Sequence, residues 1–282
     1  MKKDPAGIVK SVLKVASLPE IYIKVNEVIN SSTSSSADLA HVINEDAALA
    51  ARLLRIANSA FYSFVSKVET VANAVTVLGT QQLRDLILAS TVLKLFKDIP
   101  EEYVNMESFW RHSIAVGILS RTIASYRKET NVERFFVAGL LHDIGRLIAL
   151  VEIPKDIARA FERAKNEEIM LFMAEREEIG FDHAKLGGML LEAWQLSPRL
   201  VEAVYYHHAP ERAIQYPMDA ATIHVADIIA NALQLGSSGE RFVPPSSQAA
   251  LDQLKLDPDT INPIIEEMDQ QYNDVVGFIL NE

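Results

Sequence analysis

The sequence predicts an all-α fold, with a first helical subdomain packed on a larger helical bundle. Three observations carry this. Apolar residues recur at three- and four-residue spacing along almost the whole chain, alternating apolar–polar runs are rare, and Ser, Asp, Pro and Gly fall where helices start and stop. With 282 residues and 49% hydrophobic content the chain can bury a sizeable core, as one large domain or two of ordinary size.

In chain order, residues 8–16 form a first amphipathic helix. Leu18-Pro19-Glu20 opens the next, because a proline near the first helical position gives up an N–H that no helix bond would use. Ile21, Val25, Val28 and Ile29 are its expected buried stripe. Residues 31–36 are a short polar linker whose last serine can cap a helix over 37–44. From 43 to 62, Leu49, Leu53, Leu54 and Ile56 mark an apolar face among alanines that permit close helix contacts. A helix over 71–78, ended by Gly79, and another over 81–96 complete this group. Charges and a proline in Lys97-Asp98-Ile99-Pro100-Glu101-Glu102 then break the pattern. That break sets a domain boundary, giving domains 1–100 and 101–282.

The second half opens with a long helix over 107–127 that carries His112. A helix after Asn131 runs into His142-Asp143, where Gly145 allows a turn before 146–151. Pro154 starts the next helix and 167–178 follows. Ile179-Gly180-Phe181-Asp182 leads into 183–194, and Ser197-Pro198 starts a helix with His207 and His208 near its end. A helix over 218–233 holds His224 and Asp227. Residues 236–247 read as a loop and 258–280 as closing helices, with no internal repeat.

Composition removes several function classes. The formal charge of -11 argues against sequence-independent binding to nucleic acid or to anionic membranes, both of which reward clustered Lys and Arg. The chain has no cysteine, so disulfides, thiolate metal sites and cysteine nucleophiles are impossible. No secretory signal is visible at the N-terminus. The longest apolar run, 137–151, is interrupted by His142, Asp143 and Arg146 and is too short to span a bilayer. The expectation is a soluble cytoplasmic protein with neither nucleic-acid nor membrane partners.

The strongest functional signal is Ala138-Gly-Leu-Leu-His-Asp-Ile-Gly-Arg-Leu147, which sets His142-Asp143 inside an apolar run. A carboxylate buried there must be paired, hydrogen-bonded or bound to a metal. His112, His183, His207, His208 and Asp227 offer further nitrogen and oxygen donors of the kind transition metals accept. Each has a plainer reading: a lone buried histidine is usually a hydrogen-bonded core residue, and His207-His208 suits a solvated helix end. His41, His224 and Asp85 read as structural or surface residues, although His224 shares a helix face with Asp227.

Taken together, the order His112, His142-Asp143, His183, His207-His208, Asp227 resembles the HD superfamily of metal-dependent phosphohydrolases over residues 105–235. That resemblance implies one metal on His112, His142, Asp143 and Asp227. His183, His207 and His208 correspond to the histidines that bind a second metal in the HD-GYP cyclic-dinucleotide phosphodiesterases. The first half, Asn44-Glu-Asp-Ala-Ala-Leu-Ala-Ala-Arg-Leu-Leu-Arg-Ile-Ala-Asn-Ser-Ala-Phe-Tyr62 followed by Ala74-Val-Thr-Val-Leu-Gly79, is similar to the N-terminal helical subdomain of the HDOD family, the HD-related output domain of bacterial signalling proteins. Gly180-Phe-Asp-His-Ala-Lys-Leu-Gly-Gly-Met-Leu-Leu-Glu-Ala-Trp194 is too, so the likeness covers nearly the whole chain.

The departures from the phosphodiesterase pattern matter. Gln215-Tyr216-Pro217 stands where those enzymes carry Gly-Tyr-Pro, Ala213 replaces another loop glycine, and glycines are what allow close backbone approach to a phosphate. Their lysine after His-Asp-Ile-Gly is Arg146 here, and their glutamate after His-His is Ala209. The resemblance therefore implies a regulatory output domain holding one or two divalent ions (Fe, Mn or Ni), with an unknown signalling protein as partner and room for a phosphorylated small-molecule ligand. The alternative is a working phosphohydrolase in which Asp143 and Arg146 are catalytic. A third reading is a remnant cluster that satisfies itself with hydrogen bonds and water.

Overall fold

The computed structural model describes residues 3–14, 16–59, 61–62, 64, 66–96, 99 and 104–280. It is helical throughout, with no strand among the described residues. In chain order the helices are α1 (Pro5–Val12), α2 (Glu20–Asn30), α3 (Ser36–Asn44), α4 (Ala47–Ala57), α5 (Val71–Leu78), α6 (Thr80–Val92), α7 (Met106–Tyr126), α8 (Glu133–Leu141), α9 (Ile144–Glu152), α10 (Pro154–Glu167), α11 (Leu171–Glu178), α12 (His183–Ala193), α13 (Pro198–Tyr206), α14 (Pro217–Ala232), α15 (Gln248–Leu254) and α16 (Ile261–Leu280). None of them is long and apolar enough to cross a membrane. The chain divides into two compact units, one of residues 1–17 and 96–266, the other of residues 18–95 and 267–282. The boundary expected at 97–102 falls on residues outside those described, apart from Ile99.

In the smaller unit, α2 to α6 pack on one another through a core that includes Val25, Leu39, Ile43, Leu49, Leu53, Leu83 and Leu86. The starts follow local chemistry. Ser35, one residue earlier than expected, caps α3 in a reciprocal box with Asp38, and Asp46 accepts from the Leu49 amide to start α4. Gly79, at φ +86°, ends α5 as expected. The buried stripe of α2 is rotated from expectation: Tyr22 and Val25 are buried, whereas Ile21, Val28 and Ile29 are partly exposed.

In the larger unit, α1 begins at Pro5 rather than residue 8, because Asp4 accepts from the Ala6 and Gly7 amides and Pro5 fills the first turn. It rests on α9 and α12. The centre of the unit is α7, which packs on α8 and α14, while α12 lies between α9 and α13. Two of these crossings are set by glycine. A Cβ on Gly139 of α8 would stand 2.7 Å from the Cα of Gly117 on α7. A Cβ on Gly145 of α9 would stand 2.0 Å from the His183 carbonyl oxygen on α12. Gly145 is therefore needed for close approach, not for a turn. It lies inside α9 without positive φ, and the chain changes direction one step earlier, at His142-Asp143, with Asp143 at φ -98° and ψ 6°.

Candidate metal centre

Those close crossings bring scattered polar residues together. His112 projects from the middle of α7 and is fully buried. His142 and Asp143 occupy the joint between α8 and α9, so their side chains diverge from a regular helical relation and both reach the same interior space. Asp227 comes from α14. Its Oδ1 lies 3.1 Å from His112 Nε2 and 3.7 Å from His142 Nε2, and His142 Nε2 is 3.3 Å from Asp143 Oδ2. Donors bound at about 2.1 Å to one ion stand roughly 3 to 4 Å apart, so these spacings suit a shared cation.

A second group adjoins the first through Asp143. Asp143 Oδ1 is 2.7 Å from His183 Nε2 and 3.9 Å from His207 Nε2, and His208 Nε2 is 3.0 Å from His183 Nε2. Asp143, His183, His207 and His208 can each aim one donor atom within 4.8 Å of the others, and so can His112, His142 and Asp143. All seven residues singled out as donors thus lie in one connected cluster, Asp227 through its contacts with His112 and His142 rather than as a member of either group. His207 is fully buried just past the end of α13 and so is not part of a solvated helix end, while His208 is partly buried.

The orientation of the rings is fixed from behind. His142 Nδ1 is 2.6 Å from the Gly139 carbonyl and His207 Nδ1 is 2.7 Å from the Val204 carbonyl, one helical turn back in each case. Each Nδ1–H therefore donates to backbone and leaves Nε2 facing the cluster. There, His112 Nε2, His142 Nε2, His207 Nε2 and Asp143 Oδ1 are buried without an acceptable hydrogen bond. Buried polar atoms are normally paired. Converging nitrogen and oxygen atoms that stand at ion-pair distances yet lack hydrogen bonds of acceptable geometry are what a cation would satisfy, so this buried His/Asp cluster fits a metal.

Arg146, one turn into α9, is 1% exposed and its two terminal nitrogens are taken up by the protein. Nη1 donates to the Ser238 carbonyl at 2.8 Å and contacts the Ser238 hydroxyl at 2.6 Å and Asp143 Oδ2 at 3.2 Å. Nη2 rests on the His183 ring, 2.9 Å from Nδ1 and 3.2 Å from Nε2, and Nε is 3.5 Å from Glu175 Oε1. Glu175, fully buried on α11, also takes the His183 amide at 2.8 Å and faces His183 Nδ1 at 2.6 Å.

Electrostatics follow from this packing. Burial opposes charge on His142, yet Asp143 and Asp227 outweigh it and raise its pKa to about 10. Burial and then Arg146 oppose charge on His183, but Glu175 and Asp143 raise it to about 9. Burial drives His207 the other way, to about 3, helped by the charges on His142 and His183. Burial would favour a neutral Asp143, but Arg146, His142 and His183 hold it well below the usual carboxylate range. Asp227 is held low against burial by its contacts with His112 and His142.

Several contributors carried no visible signal of their own. Glu175 is eight residues from His183, with a turn between. Ser238 arrives from the loop after α14, where Gly236 at φ +77° passes so close to α7 that a Cβ would meet Ser108 O at 2.4 Å. Asn231 was findable, since it is four residues after Asp227 on one helix face and its Nδ2 donates to Asp227 Oδ1 at 2.7 Å. His224, expected to be structural, is so in a definite way. Its Nδ1 lies 2.7 Å from the His207 carbonyl and its Nε2 accepts from the Ser247 amide at 3.0 Å, tying the last turn of α13 to the segment before α15.

Comparison with known proteins agrees with this architecture. A curated but uncharacterized protein of Treponema pallidum is 20% identical over 228 residues, which span 80% of this chain but only 44% of the relative's length. An HDOD domain protein of unknown function from Geobacter sulfurreducens superimposes with a TM-score of 0.75 at 24% identity over 99% of both chains. A Shewanella amazonensis SB2B protein named as a candidate phosphohydrolase gives 0.74 at 26% identity over 97% of this chain and 98% of its own. A candidate signal transduction protein of Marinobacter aquaeolei VT8 gives 0.71 at 21% identity over 96% of this chain and 61% of its own. The sequence pattern of the HDOD domain matches residues 15–210, more than half of the chain and all of the cluster except Asp227. The chain belongs to the HDOD domain family.

Proposed function

We propose that this chain is a regulatory output domain of bacterial signalling, organised around a buried divalent ion and without efficient catalysis. The donor set of imidazoles and carboxylates suits iron, manganese or nickel better than calcium. His112, His142, Asp143 and Asp227 would hold the ion, joining α7, the α8–α9 joint and α14. The likeness to a candidate signal transduction protein accords with a role in passing a signal to a partner protein, but rests on fold alone.

The observation that carries the non-catalytic part is Arg146. Its donors point at Asp143, His183, Glu175 and Ser238, and the side chain is almost wholly buried, so the one cation expected to steady a phosphate is committed to the protein itself. The test is elemental analysis of protein purified without a metal-affinity column, followed by assays of nucleotide and cyclic-dinucleotide hydrolysis after loading with Mn or Fe. Bound metal with background hydrolysis is the expected result. Turnover at enzymatic rates would overturn the regulatory reading.

A second reading has its own support. The converging Nε2 atoms and Asp143 Oδ1 could serve a metal that supplies Lewis-acid chemistry, and the Shewanella relative is named as a candidate phosphohydrolase. On that reading Asp143→Ala abolishes both the ion and turnover, whereas unchanged turnover excludes it.

A further inference from the structure

The cluster offers two donor groups that share Asp143, so the number of ions it holds is set by charge as well as by geometry. Four ionisable side chains of fixed sign meet there: Asp143 (2% exposed), Asp227 (4%), Glu175 (0%) and Arg146 (1%). With all five histidines of the cluster neutral, as two filled donor groups would require, three carboxylates and one guanidinium leave two negative charges. One divalent cation balances them. A second would leave two uncompensated positive charges among side chains that are buried, His208 excepted, which protein interiors do not sustain.

The guanidinium is also in the right place to act as the balance. Arg146 Nη2 stands 2.9 Å and 3.2 Å from the two ring nitrogens of His183, and Nη1 stands 3.2 Å from Asp143 Oδ2. These are the two residues through which the second donor group would have to bind. Ser238 anchors Nη1 through its carbonyl and hydroxyl, and Glu175 lies beside Nε, so the charge is held there rather than free to swing out. Glu240, half-buried nearby, takes the Leu171 and Arg241 amides and faces Arg146 from outside the donor set.

We infer that Arg146 is a built-in cation that takes the electrostatic place of a second metal and limits the cluster to one divalent ion, on His112, His142, Asp143 and Asp227. This rests on the metal reading proposed above. His183, His207 and His208 then form a packing layer, with His208 stacked on Phe172 at 4.3 Å, rather than a second ligand set.

The test titrates Mn(II) into the full chain after chelator stripping, and counts ions by elemental analysis and by electron paramagnetic resonance, which separates isolated from exchange-coupled Mn(II). Wild type is expected to saturate at one isolated ion, with any second ion bound more than a hundredfold more weakly. Arg146→Gln, which keeps a planar hydrogen-bonding head but no charge, is expected to take up a second, coupled ion. Arg146→Lys, which keeps the charge, stays at one. Two ions of similar affinity in wild type, or a single ion in a folded Arg146→Gln, would overturn the inference while leaving the metal reading intact. No ion in wild type would instead sink the metal reading. Should Arg146→Gln not fold, the ratio of first to second affinity in wild type decides, and a ratio within tenfold overturns the inference.

Discussion

Gly145→Ala isolates the contact that positions the cluster. A Cβ at residue 145 would lie 2.0 Å from the His183 carbonyl oxygen, 2.5 Å from Gly187 N and 2.9 Å from the His183 carbonyl carbon. All three are backbone atoms of α12, so no rotamer change relieves them. To reach even the 3.0 Å below which Cβ contacts essentially never occur, α9 and α12 must part by the 1.0 Å between that floor and the 2.0 Å contact. Overpacking of this kind costs about 3 kcal/mol at the upper end of its usual range. Alanine's better helix propensity offsets about 1 kcal/mol of that. The net loss of roughly 2 kcal/mol corresponds to a Tm lowered by about 4–8 °C for a unit of this size. The same movement pulls His183 from Asp143, now 2.7 Å apart, and shifts Asp143 within the donor set. Thermal melts and Mn(II) titration would be read together, with Gly187→Ala as the control. That Cβ would meet Val204 Cγ1 at 3.0 Å and Gly145 N at 3.3 Å, which small adjustments relieve. If Gly145→Ala melts within about 1 °C of wild type, or is no worse than Gly187→Ala, glycine-mediated approach of α9 and α12 is not what builds the site.

Other outcomes follow from the same geometry. Glu175→Ala removes the carboxylate between Arg146 and His183, and breaking such a buried pair is expected to cost about 3–5 kcal/mol in denaturant melts; a loss below about 1 kcal/mol would mean the network is not stabilising. His142, whose folded pKa is raised to about 10, must release its proton to ligate an ion. Mn(II) affinity should therefore rise about tenfold per pH unit between roughly pH 7 and 9, and a flat profile in calorimetry would exclude His142 as a ligand. His224 has a folded pKa lowered from 6.5, chiefly by burial, so its contribution is present above pH 6.5 and is lost as pH falls through the folded value. Stability curves of wild type and His224→Gln should then converge as pH falls; curves that stay parallel between pH 7.5 and 5 would refute the neutral, doubly bonded ring. Ser238→Ala keeps the carbonyl but loses the hydroxyl contact to Arg146, and a drop of about 1–2 kcal/mol is expected in the same melts.

Helix type and order were legible because helices announce themselves within a few residues: Ser197-Pro198 begins α13, Gly79 ends α5, and Asp182 leads into α12. The residues that gather in the cluster were legible as well, since a His-Asp pair inside an apolar run calls for polar partners. Burial phase was less so. The stripe of α2 turned on Tyr22, whose hydroxyl-bearing ring reads as amphipathic in sequence yet is buried here.

What sequence spacing concealed was the mechanism of convergence. Gly145 looks like a hinge when read alone, because glycine after His-Asp suggests a bend; its true constraint lies across the interface, in a carbonyl 38 residues later on α12. Ser238 was hidden for the same reason, as a loop serine acquires meaning only when Gly236 lets its segment press against α7. The locking of His142 and His207 by carbonyls one turn back is, by contrast, a local property of any histidine just past a helix end whose side chain folds back along the helix. A histidine at such a position arrives with its Nδ1 proton already committed and its Nε2 exposed to whatever lies ahead. Two of them meeting over Asp143, with a guanidinium already against that carboxylate, describe a centre designed for a fixed charge before any partner or ligand is considered. Changing that charge, at Arg146 or Glu175, should therefore perturb the centre more than reshaping the loops around it.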